Sequence, residues 1–120
     1  HNEPAARQLR YSVLEYFTPE VLNGRKLVYI MGVFSDKDYE KIIELMIPMA
    51  DHIFTIATPD NARAMAAEKL KEFINKKNNI DDAVEQAVTY NNGDVVVLAF
   101  GSLSHLNRIR EAYDEWTRKR

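Results

Sequence analysis

The sequence predicts an α/β protein in which a mainly parallel sheet lies between two layers of helices, a three-layer α/β/α sandwich. Three apolar stretches, at 26–33, 52–57 and 94–100, each lead through a short polar loop into a helix-like pattern. Such alternation is typical of parallel strands joined by right-handed crossovers. The carboxyl ends of parallel strands meet at one edge of the sheet, where ligands bind in open α/β proteins. We therefore expect the three polar loops to lie together.

The spacing of apolar residues predicts the helices. Their windows are residues 3–17, 36–46, 64–76, 81–91 and 102–116. Pro4 suits the first turn of the first helix, and Pro48 should end or kink the second. Asp82 and Glu85 outline a capping box at the fourth helix, and Asn92-Gly93 supplies its stop. The aromatic residues on the predicted core faces include Tyr16, Tyr113 and Trp116.

Composition fits one compact domain. The 120 residues are 46% apolar, and the 16 basic and 18 acidic residues give a net charge of −2. This balance gives no electrostatic reason to expect a nucleic acid or an acidic membrane as partner. The chain has no cysteine, which excludes disulfides and thiolate chemistry. No apolar run approaches the roughly 20 residues that span a bilayer, and no secretory signal is evident, so we expect a cytoplasmic protein.

The polar loops carry the candidate binding residues, each with a simpler structural alternative. Ser102 follows a buried strand and opens a helix, where backbone N–H groups bind anions, but local sequence alone favours a plain helix cap. Arg63 offers a planar fork that matches a carboxylate, with Asn61 beside it. An Asx-turn with Arg63 in solvent is the alternative there. Asp36 and Lys37 also fit a solvated first helical turn.

Several chemistries are disfavoured by missing motifs. The chain contains neither G-x-x-x-x-G-K-[ST] nor G-x-G-x-x-G, so it lacks the usual cradles for a triphosphate or a dinucleotide. It has no G-x-S-x-G, so Ser102 is a poor candidate for a nucleophile. His52 and His105 have no partners at a metal-ligand spacing, so we expect them in surface or satisfied positions and expect no metal site.

Four segments of the chain form an ordered set of motifs: His1–Ala6, Gly32–Tyr39, Asp60–Ala64 and Phe100–Ser104. In that order they are similar to the motifs D-G-A-H-N-P-x-A, G-V-x-x-D-K-D-Y, N-P/A-R-A and F/T-G-S-L-S/Y. The family that these segments resemble is the folylpolyglutamate synthases of the Mur ligase superfamily, FolC-type enzymes that are often also dihydrofolate synthases. The resemblance covers essentially the whole chain, and Ala62 departs from it by standing where proline is common.

The resemblance implies that this chain is a C-terminal domain of the Mur ligase type, with a Rossmann-like fold. The family uses ATP and Mg²⁺ to convert the γ-carboxylate of folyl-glutamate into an acyl phosphate, which the amine of L-glutamate attacks. An N-terminal ATP-binding domain, absent from this chain, would hold most of the ATP and Mg²⁺ contacts. The C-terminal domain would close over the cleft and exclude water. The fragment alone is therefore expected to be inactive and to hold no cofactor.

The family's site residues can be carried over to this sequence. The glutamate site would be formed by Asn61, Arg63 and Ser102. The residues facing the nucleotide and the cleft would be His1, Asn2, Asp36 and Lys37. No catalytic and no metal-binding residue is expected in this fragment. Two alternatives remain: the C-terminal domain of a Mur-type peptidoglycan ligase, and a stand-alone α/β ligand-binding module.

Overall fold

The computed structural model describes residues 3–32, 39–56, 74–77, 79–101 and 103–119. The helices are α1 Glu3–Tyr16, α2 Pro19–Leu22, α3 Tyr39–Met46, α4 Ile80–Thr89 and α5 Leu103–Arg118. The strands are β1 Lys26–Met31, β2 His52–Ile56, β3 Ile74–Lys77 and β4 Val95–Phe100. Short 3₁₀ turns follow α3 and α4, at Ile47–Met49 and Tyr90–Gly93. Within these ranges no helix is both long enough and apolar enough to cross a membrane.

The sheet has four strands in the order β3-β2-β1-β4, and every pair of neighbours is parallel. The predicted parallel sheet is therefore confirmed, with one more strand than expected. The prediction of helix through residue 76 is wrong at its end, because Ile74 pairs with Ile53 and opens β3. The run Ile74–Lys77 has one apolar residue and no alternation, so pairing with β2 decides its structure rather than its own pattern. Residues 64–73 lie outside the described part of the chain.

Two hydrophobic clusters, one on each face of the sheet, confirm the three layers. Helices α1 and α3 cover one face, where the buried residues are Ala6, Val13, Leu27, Tyr29, Met31, Ile43, Met46, Ile47, Ile53 and Phe100. Helices α4 and α5 cover the other, where they are Val28, Ile30, Phe54, Ile56, Ala83, Val84, Ala87, Ile109 and Ala112. Strand β1 contributes to both clusters, as expected of an apolar run buried on both faces.

The ends of α4 differ in detail from the prediction. Asn79 is the N-cap, and its side-chain oxygen accepts a hydrogen bond from the backbone N–H of Asp82 at 2.7 Å. The predicted capping box of Asp82 and Glu85 is wrong, because the helix begins two residues before Asp82. The acidic side chain of Asp82 instead lies in the first turn, where it suits the helix dipole. The predicted stop is confirmed, since Asn92 and Gly93 both adopt positive φ, 57° and 86°.

Two aromatic residues predicted to face the core are exposed. Tyr16 is 68% exposed at the end of α1, and Tyr113 is 46% exposed on α5. Tyr16 belongs to the last turn of its helix, beyond the buried Val13, so helical spacing alone placed it wrongly. The exposure of Tyr113 has a different origin, because α5 leaves part of the sheet beside it uncovered.

Asp51 fixes the amino ends of β1 and β2 relative to each other. Its Oδ2 accepts a hydrogen bond from the backbone N–H of Leu27 at 2.8 Å. Its own backbone N–H donates to the carbonyl oxygen of Leu27, also at 2.8 Å. Since this pair precedes the first β1–β2 register position, Val28 opposite His52, it sets the alignment of both strands.

Candidate functional site

The strand order singles out one crevice at the carboxyl edge of the sheet. From β1 the chain moves to β2 and β3 on one side, and β4 then takes the place on the other side of β1. The helix after β1 packs on one face of the sheet and the helix after β4 packs on the opposite face. Where two adjacent parallel strands send their helices to opposite faces, a crevice opens outside their carboxyl ends and binds ligands. The crevice between β1 and β4 is therefore the candidate site.

Two glycines meet at the base of this crevice. Gly32 follows β1, and its backbone N–H donates to the carbonyl oxygen of Phe100 at 2.9 Å. Gly101 follows β4 with φ of 142°, and a Cβ on it would lie 2.7 Å from the nitrogen and 2.8 Å from the Cα of Gly32. Both the backbone conformation and the close approach require glycine at position 101. The ends of β1 and β4 are therefore held in direct backbone contact at the base of the crevice.

Two buried aromatic side chains lie beneath the crevice. The rings of Tyr29 and Phe100 meet edge to face, with their centroids 5.3 Å apart. The hydroxyl of Tyr29 is buried and has no hydrogen-bond partner among the described residues. Burial raises the pKa of Tyr29 well above its ordinary value, and the positive charge of Arg10 opposes this only in part. Tyr29 is therefore a neutral phenol. In the sequence, the only indication of its burial is its position among the aliphatic residues of β1.

The sequence-predicted site residues lie outside the described residues. They are His1, Asn2, Asp36, Lys37, Asn61, Arg63 and Ser102. What the structure describes is the strand ends that precede three of these segments: Gly32 before residues 33–38, Ile56 before residues 57–73, and Gly101 before Ser102. These ends belong to adjacent parallel strands, so the three segments start from the same edge of the sheet, as predicted. The roles of the seven residues stay predictions.

His52 lies at the opposite edge of the sheet from the crevice. It begins β2, is 9% exposed and stacks on the ring of Tyr90, with centroids 5.0 Å apart and planes 23° from parallel. The ring of Phe54 also contacts His52, with centroids 4.7 Å apart. His52 therefore contributes to an aromatic cluster at the amino edge. Within the described ranges, no three His, Cys, Asp or Glu side chains are grouped so that they could hold a metal ion.

A second concave feature was not predicted from the sequence. A cleft of about 550 Å³ runs between α4, β4 and α5. Its lining is Ile30, Val84, Val88, Gly93, Val95, Val97, Ala99, Leu106, Ile109, Arg110, Tyr113 and Trp116. Among the described residues of this lining Arg110 alone is charged, and most of the others are apolar. The cleft lies along a face of the sheet rather than at the carboxyl edge, and it is distinct from the crevice.

Comparison with known proteins supports the fold. No protein-family model and no curated protein matches the sequence. Among solved structures, the chain is similar to the MurF ligase of Thermotoga maritima in complex with ADP, with a TM-score of 0.67 and 15% identity over 99% of this chain and 27% of that one. It is also similar to a folylpolyglutamate synthase of Thermotoga maritima, with a TM-score of 0.63 and 21% identity over 95% of this chain and 26% of that one.

These similarities establish the fold of the chain. At such identities, structural likeness shows a shared architecture and leaves activity to be tested. The chain spans about a quarter of the length of each of the two proteins. The predicted α/β/α sandwich of the Mur ligase C-terminal type is thus confirmed, as the fold shared with a MurF ligase and a folylpolyglutamate synthase.

Proposed function

We propose that this chain is the closing C-terminal domain of a folylpolyglutamate synthase, an ATP-dependent ligase that joins an amino acid to a carboxylate. The observation that supports this most is the contact between Gly32 and Gly101. Each glycine belongs to one of the segments that resemble the family, Gly32–Tyr39 and Phe100–Ser104. Two motifs far apart in sequence therefore start from the same crevice, which is what a shared binding site needs.

In the proposed reaction, phosphoryl transfer from ATP activates the γ-carboxylate of folyl-glutamate as an acyl phosphate. The amine of L-glutamate then forms the amide bond, and inorganic phosphate leaves. The chain lacks a phosphate loop, so in this proposal the contacts with ATP and Mg²⁺ come mostly from another domain. The part of this chain is to close the cleft, because an acyl phosphate exposed to water would hydrolyse.

The residues of this chain have separate tasks in the proposal. Arg63, assisted by Asn61, binds the α-carboxylate of the incoming glutamate, because a guanidinium fork matches two carboxylate oxygens. Ser102 adds a hydrogen bond at the same edge. Lys37 offsets phosphate charge across the cleft, with Asp36 beside it. His1 and Asn2 lie at the hinge near the nucleotide.

A Mur-type peptidoglycan ligase is the second candidate. It is favoured by the likeness to MurF, which spans 99% of this chain, and by the loop at 60–64, which also resembles the D-N-P-R loop of Mur ligases. The folate branch is preferred because Asp36–Tyr39 and Ser102–Ser104 have the form found in folylpolyglutamate synthases. A stand-alone binding module is the third candidate, and it would bind a ligand tightly without another domain.

The first experiment compares this chain with the natural protein that contains it. Phosphate release from ATP is measured with a folate and L-glutamate, and in parallel with UDP-muramyl acceptors. Turnover that needs folate and glutamate, and that the 120-residue chain lacks, would support the proposal. Turnover with the muramyl acceptor would move the chain to the cell-wall branch. No turnover with either would favour a binding module.

The assigned role of Arg63 has its own test in the natural protein. Loss of a charge-assisted, two-pronged hydrogen bond costs roughly 1.5–3 kcal/mol, so Arg63→Ala should raise the KM for glutamate by about 10- to 100-fold and leave the KM for ATP nearly unchanged. Arg108→Ala is the matched control, because Arg108 is an exposed arginine that pairs with Glu111 on its own helix at 3.2 Å. Equal increases in both KM values for Arg63→Ala would contradict the assignment.

A further inference from the structure

Two turns at the amino edge of the sheet contain the same reactive dipeptide, asparagine followed by glycine. One lies at residues 23–24, between α2 and β1, and the other lies at residues 92–93, between α4 and β4. All four residues are exposed and have positive φ. The two turns are neighbours, because the backbone N–H of Lys26 donates to the carbonyl oxygen of Asp94 at 3.0 Å. Neither dipeptide takes part in the proposed ligase reaction.

Asparagine before glycine can lose its side-chain amide without an enzyme. The backbone nitrogen of the glycine attacks the side-chain carbonyl carbon of the asparagine, and the new C–N bond closes a cyclic imide. The amide nitrogen leaves as ammonia, with the proton that the glycine nitrogen gives up. Water then opens the imide at either carbonyl, which yields aspartate or isoaspartate. Glycine favours the attack because it has no Cβ to obstruct its nitrogen.

The folded backbone opposes this reaction in both turns. Ring closure needs the glycine nitrogen on the same side of the Cα–C bond as the Cβ of the asparagine. With ψ of 49° at Asn23 and 29° at Asn92, that nitrogen lies on the side opposite to Cβ. Each turn must therefore open, by rotation about this bond, before its asparagine reacts. The reaction rate at each position then depends on how often its turn opens.

The two turns differ in how firmly they are held. Helix α2, before Asn23, has four residues, none of which is buried, and Leu22 alone packs in part against a core cluster. Helix α4, before Asn92, has ten residues, three of which are buried. Tyr90, at the end of α4, also stacks on His52, with centroids 5.0 Å apart. Segments with few buried apolar contacts open most readily, so the turn after α2 should open more often.

We propose that Asn23 is a site of spontaneous deamidation in this protein and that Asn92 is protected by its turn. Either product adds a negative charge between α2 and β1, and isoaspartate also lengthens the main chain there. The backbone N–H of Asn23 closes α2 on the carbonyl oxygen of Pro19 at 3.0 Å, so the change falls where α2 ends. Strand β1 is paired on both sides and should remain in place. This modification is independent of ligase activity.

A comparison of the two asparagines within one sample tests the proposal. The natural protein that contains this chain is incubated at mildly alkaline pH, digested, and analysed by mass spectrometry for the acid forms at both positions. Asn23 should convert several-fold faster than Asn92 in the folded protein. In concentrated urea, where neither turn persists, the two should convert at similar rates. Equal rates in the folded protein, or faster conversion of Asn92, would overturn the proposal. So would a difference that persists in urea, because local sequence would then be its cause.

Thr18→Ala tests whether the opening of α2 sets the rate. Thr18 caps α2, and its Oγ1 accepts a hydrogen bond from the backbone N–H of Val21 at 3.3 Å. Loss of this exposed cap should raise the rate at Asn23 several-fold and leave the rate at Asn92 unchanged. Asn79→Ala, which removes the cap of α4, is the matched control and should not accelerate Asn23. An unchanged rate at Asn23 in Thr18→Ala, or equal acceleration at both positions, would contradict the proposal.

Discussion

Replacement of Gly101 by alanine should be the most damaging single-methyl change at the candidate site. Gly101 has φ of 142° and is buried at the carboxyl end of β4. An added Cβ would meet the nitrogen of Gly32 at 2.7 Å and its Cα at 2.8 Å. These are backbone atoms within a hydrogen-bonded strand pair, so no side-chain rotation relieves the contact. Either β1 and β4 separate at their ends, or the loop after β4 changes its path.

The expected loss in the free energy of unfolding of Gly101→Ala has two parts. An alanine held at φ of 142°, in a sparsely populated backbone region, costs on the order of 1–3 kcal/mol, and overpacking in a well-packed interior costs typically about 1–3 kcal/mol more. Together, about 2–6 kcal/mol would be lost from a free energy of unfolding that is roughly 5–15 kcal/mol for a domain of this kind. At about 4 °C per kcal/mol, the midpoint of thermal unfolding should fall by roughly 8–24 °C.

Gly24→Ala is the control that separates the two parts. Gly24 also has positive φ, 82°, but a Cβ there would meet no atom within 4 Å among the described residues beyond its two chain neighbours. It should therefore show the conformational cost alone, about 1–2 kcal/mol. Both variants are measured by urea unfolding followed by circular dichroism. If Gly101→Ala is no less stable than Gly24→Ala, then the contact with Gly32 does not constrain the chain, and the base of the crevice is not fixed as argued.

Three further predictions concern the scaffold. Tyr29→Phe should raise the free energy of unfolding by about 1 kcal/mol in urea titrations, because it removes a buried hydroxyl that has no partner among the described residues. Since burial raises the pKa of Tyr29, the unfolded chain releases the phenol proton at a lower pH than the folded chain. The free energy of unfolding of the wild type should therefore fall by up to about 1.4 kcal/mol per pH unit above about pH 10. Tyr29→Phe should not show this loss. Asp51→Ala should cost about 1–2 kcal/mol in urea unfolding by depriving the N–H of Leu27 of its acceptor, and Asp51→Asn should restore most of it. Asn79→Ala removes the side chain that caps α4, so it should lower stability in thermal unfolding by about 1 kcal/mol, and Asp82→Ala should lower it less. A larger loss for Asp82→Ala would instead support Asp82 as the cap, as predicted from sequence.

The sequence predicts those elements in which consecutive apolar residues indicate burial. Strand β1 was predictable because five neighbouring apolar residues can be buried only between two layers. The short β3 was not, because Ile74–Lys77 has no strand pattern and acquires its structure from β2. The cap of α4 was placed wrongly because Asn79 and Asp82 are both good caps, and only the observed start of the helix distinguishes them.

The candidate site was predictable only as an edge of the sheet. Three polar loops after three strands implied that edge, but the crevice depends on which strands are neighbours, and strand order is a property of the crossovers rather than of any local segment. The contact between Gly32 and Gly101 cannot be predicted from the sequence either, because each glycine by itself is typical of an ordinary turn. The cleft beside β4 arises because α5 covers the side chains of β4 only in part. The spacing of apolar residues in α5 does not indicate this, because it suits a helix that covers the strand fully.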